Sequence, residues 1–409
     1  MSAALLLKNA LVLDVDGGDY HETDLLCVDG HVVECGTVRG TPSDTRTLDL
    51  RGTYVLPGLI DCHVHVAAIT ADLGVIGTWS PTYVAAGAIR RMGAMLDRGF
   101  TAVRDTGGAD RGLAAAQDRG WVRGPRLFYG GRGLSQTGGH GDKLPRGVRR
   151  FEEDACCAGT GRVADGVDGV RLAARDELRK GAHHIKVHGS GGISSPDDRV
   201  NSTQYSMDEL RAVVEEAEAT ERYVTAHAYP ARAINRALEA GVHCIEHGNL
   251  LDDRSIELFL QHDAFLVPTL VTYWALHEEG THHGLPRESW EKVTDVLDRG
   301  LEALERAHRA GVRLAYGTDL LAGMNTRQNE EFRIRGDVQK PIDVIRSATT
   351  NAADLLGMTG QLGTLAPGAH ADLVVLDADP LTDLGILADP QRHLHVVVQN
   401  GAVVSDNRH

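Results

Sequence analysis

The side chains most able to do chemistry here are histidines, and they recur at the ends of short apolar runs. In Asp61-Cys62-His63-Val64-His65 two imidazoles stand two positions apart. Side chains alternate faces along a strand, so on a β-strand both rings point the same way. An isolated pair of this kind is also met as two tolerated histidines on a strand end. The pattern recurs, however, in Val224-Thr225-Ala226-His227 and His243-Cys244-Ile245-Glu246-His247, and a carboxylate closes Ala315-Tyr316-Gly317-Thr318-Asp319. Four histidines and one aspartate delivered to one rim by four strands would form a cage for metal, since imidazole and carboxylate are both zinc ligands. Lys186 sits between Ile185 and Val187 in a run of buried character and shares a face with His184 and His188. Burying an ammonium is costly, and a snorkelling or salt-bridged lysine is the plainer outcome. Beside two metals a neutral amine can instead take up carbon dioxide, turning a cation into a bridging carboxylate, N6-carboxylysine.

The elements that must position these residues are short strands, each followed by a longer segment of helical period, which marks parallel βα units. Eight strands are expected near Leu59–His65, Thr101–Asp105, Arg126–Tyr129, His183–His188, Tyr223–His227, Val242–His247, Ala264–Val267 and Val312–Thr318. Segments such as Ser206–Thr220, Arg232–Ala240 and Ser289–Ala310 carry Ala, Leu, Glu and Arg at helical spacing. Eight such units predict an α/β fold, a (β/α)8 TIM-type barrel, and barrels of this kind place their sites at the C-terminal strand ends. Alternating strands broken by turns fill both chain ends, so a small β-sandwich built from both ends is expected. The domain reading is 1–57 for the N-terminal part of that accessory unit, 58–365 for the barrel and 366–409 for the C-terminal part. A long irregular stretch from Gly130 to about Asp165 carries His140, and loops of that length tend to be functional or disordered. Tyr229 follows His227 by two residues and belongs to the same rim.

Bulk properties narrow the class. The 409 residues hold 42 Lys+Arg against 57 Asp+Glu, a net charge of −15, with no basic stripe to track phosphates, so nucleic acid is not an expected partner. The opening Met1-Ser2-Ala3-Ala4 and its three-leucine run, cut off by Lys8, lack a basic lead-in. That is too little for an export signal or a membrane span, and a cytoplasmic location is expected. Six scattered cysteines form no CxxC pair and read as reduced thiols.

Several stretches carry a family likeness over nearly the whole chain. They are Leu56-Pro57-Gly58-Leu59-Ile60-Asp61-Cys62-His63-Val64-His65, Val103-Arg104-Asp105-Thr106-Gly107-Gly108, Gly138-Gly139-His140-Gly141-Asp142, Ile185-Lys186-Val187 before Ser190-Gly191-Gly192, and Ala371-Asp372-Leu373-Val374. With them the chain resembles the amidohydrolase superfamily, in its imidazolonepropionase-like branch with dipeptidases of the prolidase and Xaa-Arg kind. The resemblance implies one metal held by His63, His65 and Asp319, a second held by His227 and His247, and carboxylated Lys186 bridging them. It implies two divalent ions, with zinc favoured over manganese, cobalt or iron, and a homo-oligomer.

The expected activity is hydrolysis of an amide bond in a dipeptide or N-acyl amino acid, a small-molecule substrate, by metal-activated hydroxide. Asp319 would shuttle the proton, His140 would meet the developing oxyanion or a substrate carboxylate, and Tyr229 would bind a terminal carboxylate as in similar dipeptidases. Within the same chemistry stand a non-peptide amide, carbamate or urea hydrolase and a cyclic amidohydrolase or deaminase, the last pair expected to use a single metal. A barrel that has lost activity and serves as a scaffold is the reading from a different class.

Overall fold

The computed structural model describes residues 4–144, 159–195 and 198–408. Apolar residues alternate with polar ones through the first part of the chain, and this period-two pattern folds as strands β1 (Ala4–Asp14), β2 (Asp19–Val28), β3 (His31–Gly36), β4 (Arg46–Asp49) and β5 (Tyr54–Pro57). The central part supplies β6 (Leu59–Val64), β7 (Phe100–Asp105) and β8 (Arg126–Tyr129). After them come β9 (Gly133–Ser135), β10 (Gly161–Val163), β11 (His184–His188), β12 (Tyr223–Pro230), β13 (Cys244–Leu250), β14 (Phe265–Val267) and β15 (Arg313–Leu314). The chain closes with β16 (Leu373–Leu376), β17 (Leu394–Gln399) and β18 (Ala402–Asp406).

Both chain ends join one eight-stranded sheet in which β16 pairs antiparallel with β5, Leu373 facing Pro57 and Leu376 facing Tyr54. The alternation in β16 has a direct packing consequence. Leu373 and Val375 enter a core with Leu5, Leu7, Val396 and Val398, while Val374 and Leu376 pack against Met92, Met95 and Phe100. One face of the sheet thus closes on its own core, and the other is pressed against the parallel layers.

In those layers strands β6-β7-β8 form one sheet and β10-β9-β11-β12-β13-β14-β15 another, with helices between β6, β7 and β8 and between the strands from β10 onward. All eight expected strands appear near their predicted places. The last is shortest, because beyond Leu314 the backbone leaves its neighbour: Tyr316 N donates to Ser347 O (2.8 Å) and Asp319 N to His63 O (2.8 Å). The sheets also meet through backbone bonds at their margins, Cys62 N to Tyr316 O (2.8 Å) on one side and His183 N to Tyr129 O (2.8 Å) on the other. The stretch from Gly130 to Asp165 differs from the irregular loop expected, since β9 and β10 pair within it.

Helix ends follow local chemistry. Ser206 accepts from Glu209 N while the Glu209 side chain returns to the Ser206 backbone, a reciprocal cap that starts the helix at Met207 rather than Ser206. Gly311, at φ 82°, stops the helix Thr294–Ala310. The helix expected over Ser289–Ala310 is divided, with Arg287–Trp290 forming a separate short turn. Among the described residues no helix is long and apolar enough to cross a membrane. Of the cysteines, Cys27, Cys62 and Cys244 are buried free thiols and Cys35 is exposed, while Cys156 and Cys157 lie outside the described residues.

Candidate metal centre

The C-terminal ends of the parallel strands converge on one cleft enclosing ≈ 630 Å³ including its open mouth. His63 and His65 reach it from the end of β6, Lys186 and His188 from β11, His227 and Tyr229 from β12, His247 from β13, Asp319 from the segment after β15 and His140 from the loop after β9. The eight residues assigned to the site from the sequence, His63, His65, His140, Lys186, His227, Tyr229, His247 and Asp319, all line this cleft, while His184, on the Lys186 face, does not.

Which ring nitrogen faces the cleft is decided by what holds the other one. His63 Nδ1 lies 2.7 Å from Glu246 Oε2 and His65 Nδ1 lies 2.7 Å from Gly107 O, so each ring turns Nε2 toward Asp319 Oδ1, at 3.4 and 3.2 Å. His247 Nδ1 is held by Thr269 Oγ1 at 2.8 Å, which likewise leaves Nε2. His227 is reversed, with Nε2 3.1 Å from Gly191 O and Nδ1 left over. Ligand atoms of His63, His65 and Asp319 lie within 4.8 Å of one another, as do those of His140, His188 and His227. His227 therefore groups by ligand-atom distance with His140 and His188. The His247 ring lies 4.6 Å from that of His227 and 5.1 Å from that of His63, between the two trios.

Burial tunes these groups toward ligation. Desolvation drives His188, His227 and His247 well below the usual imidazole range, which keeps them neutral with a lone pair to give. Desolvation also lowers Lys186, against the pull of the Glu246 and Asp319 carboxylates. Burial alone would raise Asp319, yet His63 and His65 beside it hold its carboxyl well below the ordinary value. His140 is pushed down to about 4 by burial and by the nearby Lys143 cation. His63 runs the other way, since against its burial the Asp319 and Glu246 carboxylates raise it. With three imidazoles held neutral, an ionised carboxylate and a buried amine of lowered basicity, the donor set fits divalent metal.

Two backbone distortions aim the set. His247 has φ 75° and Asp319 φ 49°, conformations uncommon for residues with a Cβ. Asp61 braces the second: fully buried, it accepts from His63 N (3.0 Å), Thr318 N (3.2 Å), Thr318 Oγ1 (2.6 Å) and Gln328 Nε2 (2.9 Å). His140 stacks on His227 at 4.3 Å, with Ser195 Oγ 3.0 Å from Nδ1 and Ser194 Oγ 3.2 Å from Nε2.

Sequence reasoning passed over four residues of this neighbourhood. His188 shares a face with Lys186, and that shared face was the available signal. Lys143 lines the cleft and donates from Nζ to Ser194 Oγ (2.9 Å). Arg104 and Glu246 lie beneath the rim, fully buried and paired at 2.6 Å, and the signal for each was a charged residue inside an apolar strand.

Imidazoles and a carboxylate converging at the strand ends of a parallel α/β fold define a site fit for divalent metal. The amidohydrolase family model matches residues 54–404, and the chain belongs to that family. Ochratoxinase of Aspergillus niger is 34% identical over 384 residues, covering 87% of this chain and 78% of the relative. A prolidase crystallised with N-methylphosphonate-L-proline is 47% identical, with a TM-score of 0.96 over 99% of this chain and 100% of that one. A Xaa-Pro dipeptidase crystallised with methionine in its active site is 25% identical, with a TM-score of 0.86 over 98% of this chain and 100% of that one.

Proposed function

We propose that this amidohydrolase cleaves the amide bond of a dipeptide or N-acyl amino acid, using two divalent ions, zinc by preference. The observation that carries the reading is the convergence of His63, His65, Lys186, His227, His247 and Asp319 on one cleft with His140 and Tyr229. The likeness to the prolidase supports it, because a phosphonate joined to proline imitates the tetrahedral carbon formed when water attacks an N-acyl-proline bond.

In this reading His63, His65 and Asp319 would hold one ion and His227 and His247 the other, with Lys186, as N6-carboxylysine, supplying a further carboxylate between these ligand sets. Such ions, when bound, lower the pKa of a water and polarise a carbonyl. The remaining work falls to the chain. Asp319 takes the proton of the attacking water and passes it to the leaving nitrogen, a task for a carboxylate that starts ionised. His140, neutral at pH 7, donates from a ring nitrogen to the carbonyl oxygen as charge gathers there. Tyr229, buried with its phenol held protonated by desolvation, donates its hydroxyl to the terminal carboxylate. Thr272, Leu276 and Leu321 wall the cleft and keep water from the leaving group.

The same reading takes the two parallel sheets as arcs of one (β/α)8 barrel spanning 58–365, with 1–57 and 366–409 making a sandwich-like accessory unit, in a chain that self-associates. The likeness to ochratoxinase supports the same reading, since ochratoxin is an N-acyl phenylalanine; a second reading is hydrolysis of a non-peptide amide. Zinc-loaded protein prepared with bicarbonate is to be assayed on dipeptides and N-acyl amino acids, proline derivatives and ochratoxin included, beside simple aryl amides. Turnover of the first group with about two metals per chain is the expected result. Turnover confined to the aryl amides would select the second reading, and no hydrolysis at full metal occupancy would overturn both.

A further inference from the structure

Beneath the cleft the interior is not apolar. Arg104 and Glu246, each fully buried, form an ion pair with Nη2 and Oε1 2.6 Å apart. The Thr225 hydroxyl donates to the same Glu246 oxygen, and the Cys244 thiol lies 3.5 Å from it. Arg104 spends its other donors on fixed partners: Nε on Cys62 O at 2.6 Å and Nη1 on the Tyr223 hydroxyl at 3.3 Å. Glu246 is left with one uncommitted oxygen, Oε2, and that oxygen faces His63 Nδ1 at 2.7 Å.

This arrangement does little for stability alone, because desolvating two charges offsets most of their attraction and an apolar pair of similar volume commonly serves as well. What it does provide is direction. A carboxylate paired with arginine accepts hydrogen bonds only, so a ring proton of His63 is held on Nδ1 and Nε2 is the atom turned to the cleft beside Asp319. Arg104 also grips the carbonyl of Cys62, next to His63, so the backbone that carries the ring and the oxygen that orients it are tied to one guanidinium.

We infer that Arg104 and Glu246 are positioning residues that fix the tautomer and angle of His63 and thereby set the affinity of the metal position formed by His63, His65 and Asp319. The inference rests on the metal-dependent reading above and deepens it. A carboxylate behind a ligating imidazole raises its basicity and locks its orientation, and removing such a partner costs on the order of 10–100-fold in metal affinity. The second position, built on His227 and His247, has other supports: Gly191 O for His227 and Thr269 Oγ1 for His247. It should be spared.

The test is zinc titration of metal-free full-length protein against a chromophoric chelator, with metal content counted per chain. Wild type is compared with Glu246→Gln, Glu246→Asp, which draws the charge back by one methylene, and Arg104→Met/Glu246→Met, which removes both charges. The expected result is two binding steps in wild type and, in each variant, one step weakened at least 10-fold with the other unchanged. In the double variant this weakening should accompany a wild-type circular dichroism spectrum and unchanged binding at the second position, which a purely structural role would not produce. Folded variants, even Glu246→Asp alone, that bind both ions as wild type does overturn the inference. Wild type that binds no zinc overturns the metal reading itself.

Discussion

Gly192 gives the sharpest steric test of the site. A Cβ added there would stand 2.3 Å from Cε1 of His140 and 2.7 Å from each ring nitrogen, whereas carbon atoms in contact sit near 3.5 Å. Gly192 does not occupy a left-handed φ, so alanine is acceptable to the backbone and the whole effect falls on the ring. To accept the methyl, the imidazole must withdraw by roughly 1 Å. It is blocked behind by His227, stacked at 4.3 Å and 16°, and held at its edges by Ser194 and Ser195. Overfilling of this kind costs about 1–3 kcal/mol of stability, while a catalytic group misplaced by about 1 Å loses on the order of 100-fold in rate. The expectation for Gly192→Ala is therefore a folded protein with a modestly lower melting temperature and kcat reduced about 100-fold on the best substrate of the panel. Gly40→Ala, where nothing lies within 4 Å of the new methyl, serves as the neutral control. Steady-state kinetics and thermal melts of the three proteins decide it. Wild-type kcat and melting temperature in Gly192→Ala would refute the placement of His140 against Gly192 and its role in the reaction.

Other outcomes follow from the same geometry. Lys186→Ala and Asp319→Asn are expected to abolish turnover with an unchanged circular dichroism spectrum, the lysine variant also losing metal by elemental analysis; unchanged rates in either would remove its assigned role. Asp319 is the only carboxylate lining the cleft among the described residues and Lys143 is a lining cation, so acidic acyl groups should be preferred. Lys143→Met should erase that preference, raising KM for succinyl-type substrates about 10-fold, the scale of one hydrogen bond to a charged group, while acetyl substrates change little. Glu331 is buried, accepts from Val271 N (2.7 Å), and is pushed up by desolvation to about 8. Its folded pKa lies above its unfolded one, so stability is fullest below about 4.5 and declines as pH rises toward 8, by up to about 1.4 kcal/mol per pH unit. Urea unfolding at pH 5.5 and 8 should show Glu331→Gln gaining on wild type at the higher pH, and parallel curves would contradict the burial argument.

Much of this site was legible in the residues. Apolar runs ending in histidine placed His63, His65, His227 and His247 at strand ends, and Lys186 announced itself as a cation in a buried strand. The trouble begins where alternation fails. Glu246 and His247 are neighbours and should point to opposite faces, yet both reach the interior, because the positive φ of His247 turns its ring back toward His63. A register slip in β6 between Asp61 and Val64 likewise disturbs the facing pattern around the first two histidines. His188 was visible on the Lys186 face, but only long-range packing shows that the side chain two residues beyond Lys186 meets His140 and His227. The paired charges of Arg104 and Glu246 are separated by 142 residues, a distance across which no local pattern speaks. The two parallel arcs and the shared end sheet were predictable in order, while β9 and β10 were hidden in glycine-rich sequence with little apolar period.

The pairing of β5 with β16 has a bearing on how the protein is made. More than 300 residues separate the two strands, so at translation rates of about 5–20 residues per second the first waits roughly 15 seconds to a minute for its partner to leave the ribosome. Through that interval one margin of the amino-terminal sheet stays uncovered, an open template for strands of other nascent chains. Early termination anywhere before residue 373 would leave that template exposed for good, so shortened products of this gene should accumulate as insoluble material even when the catalytic layers are intact.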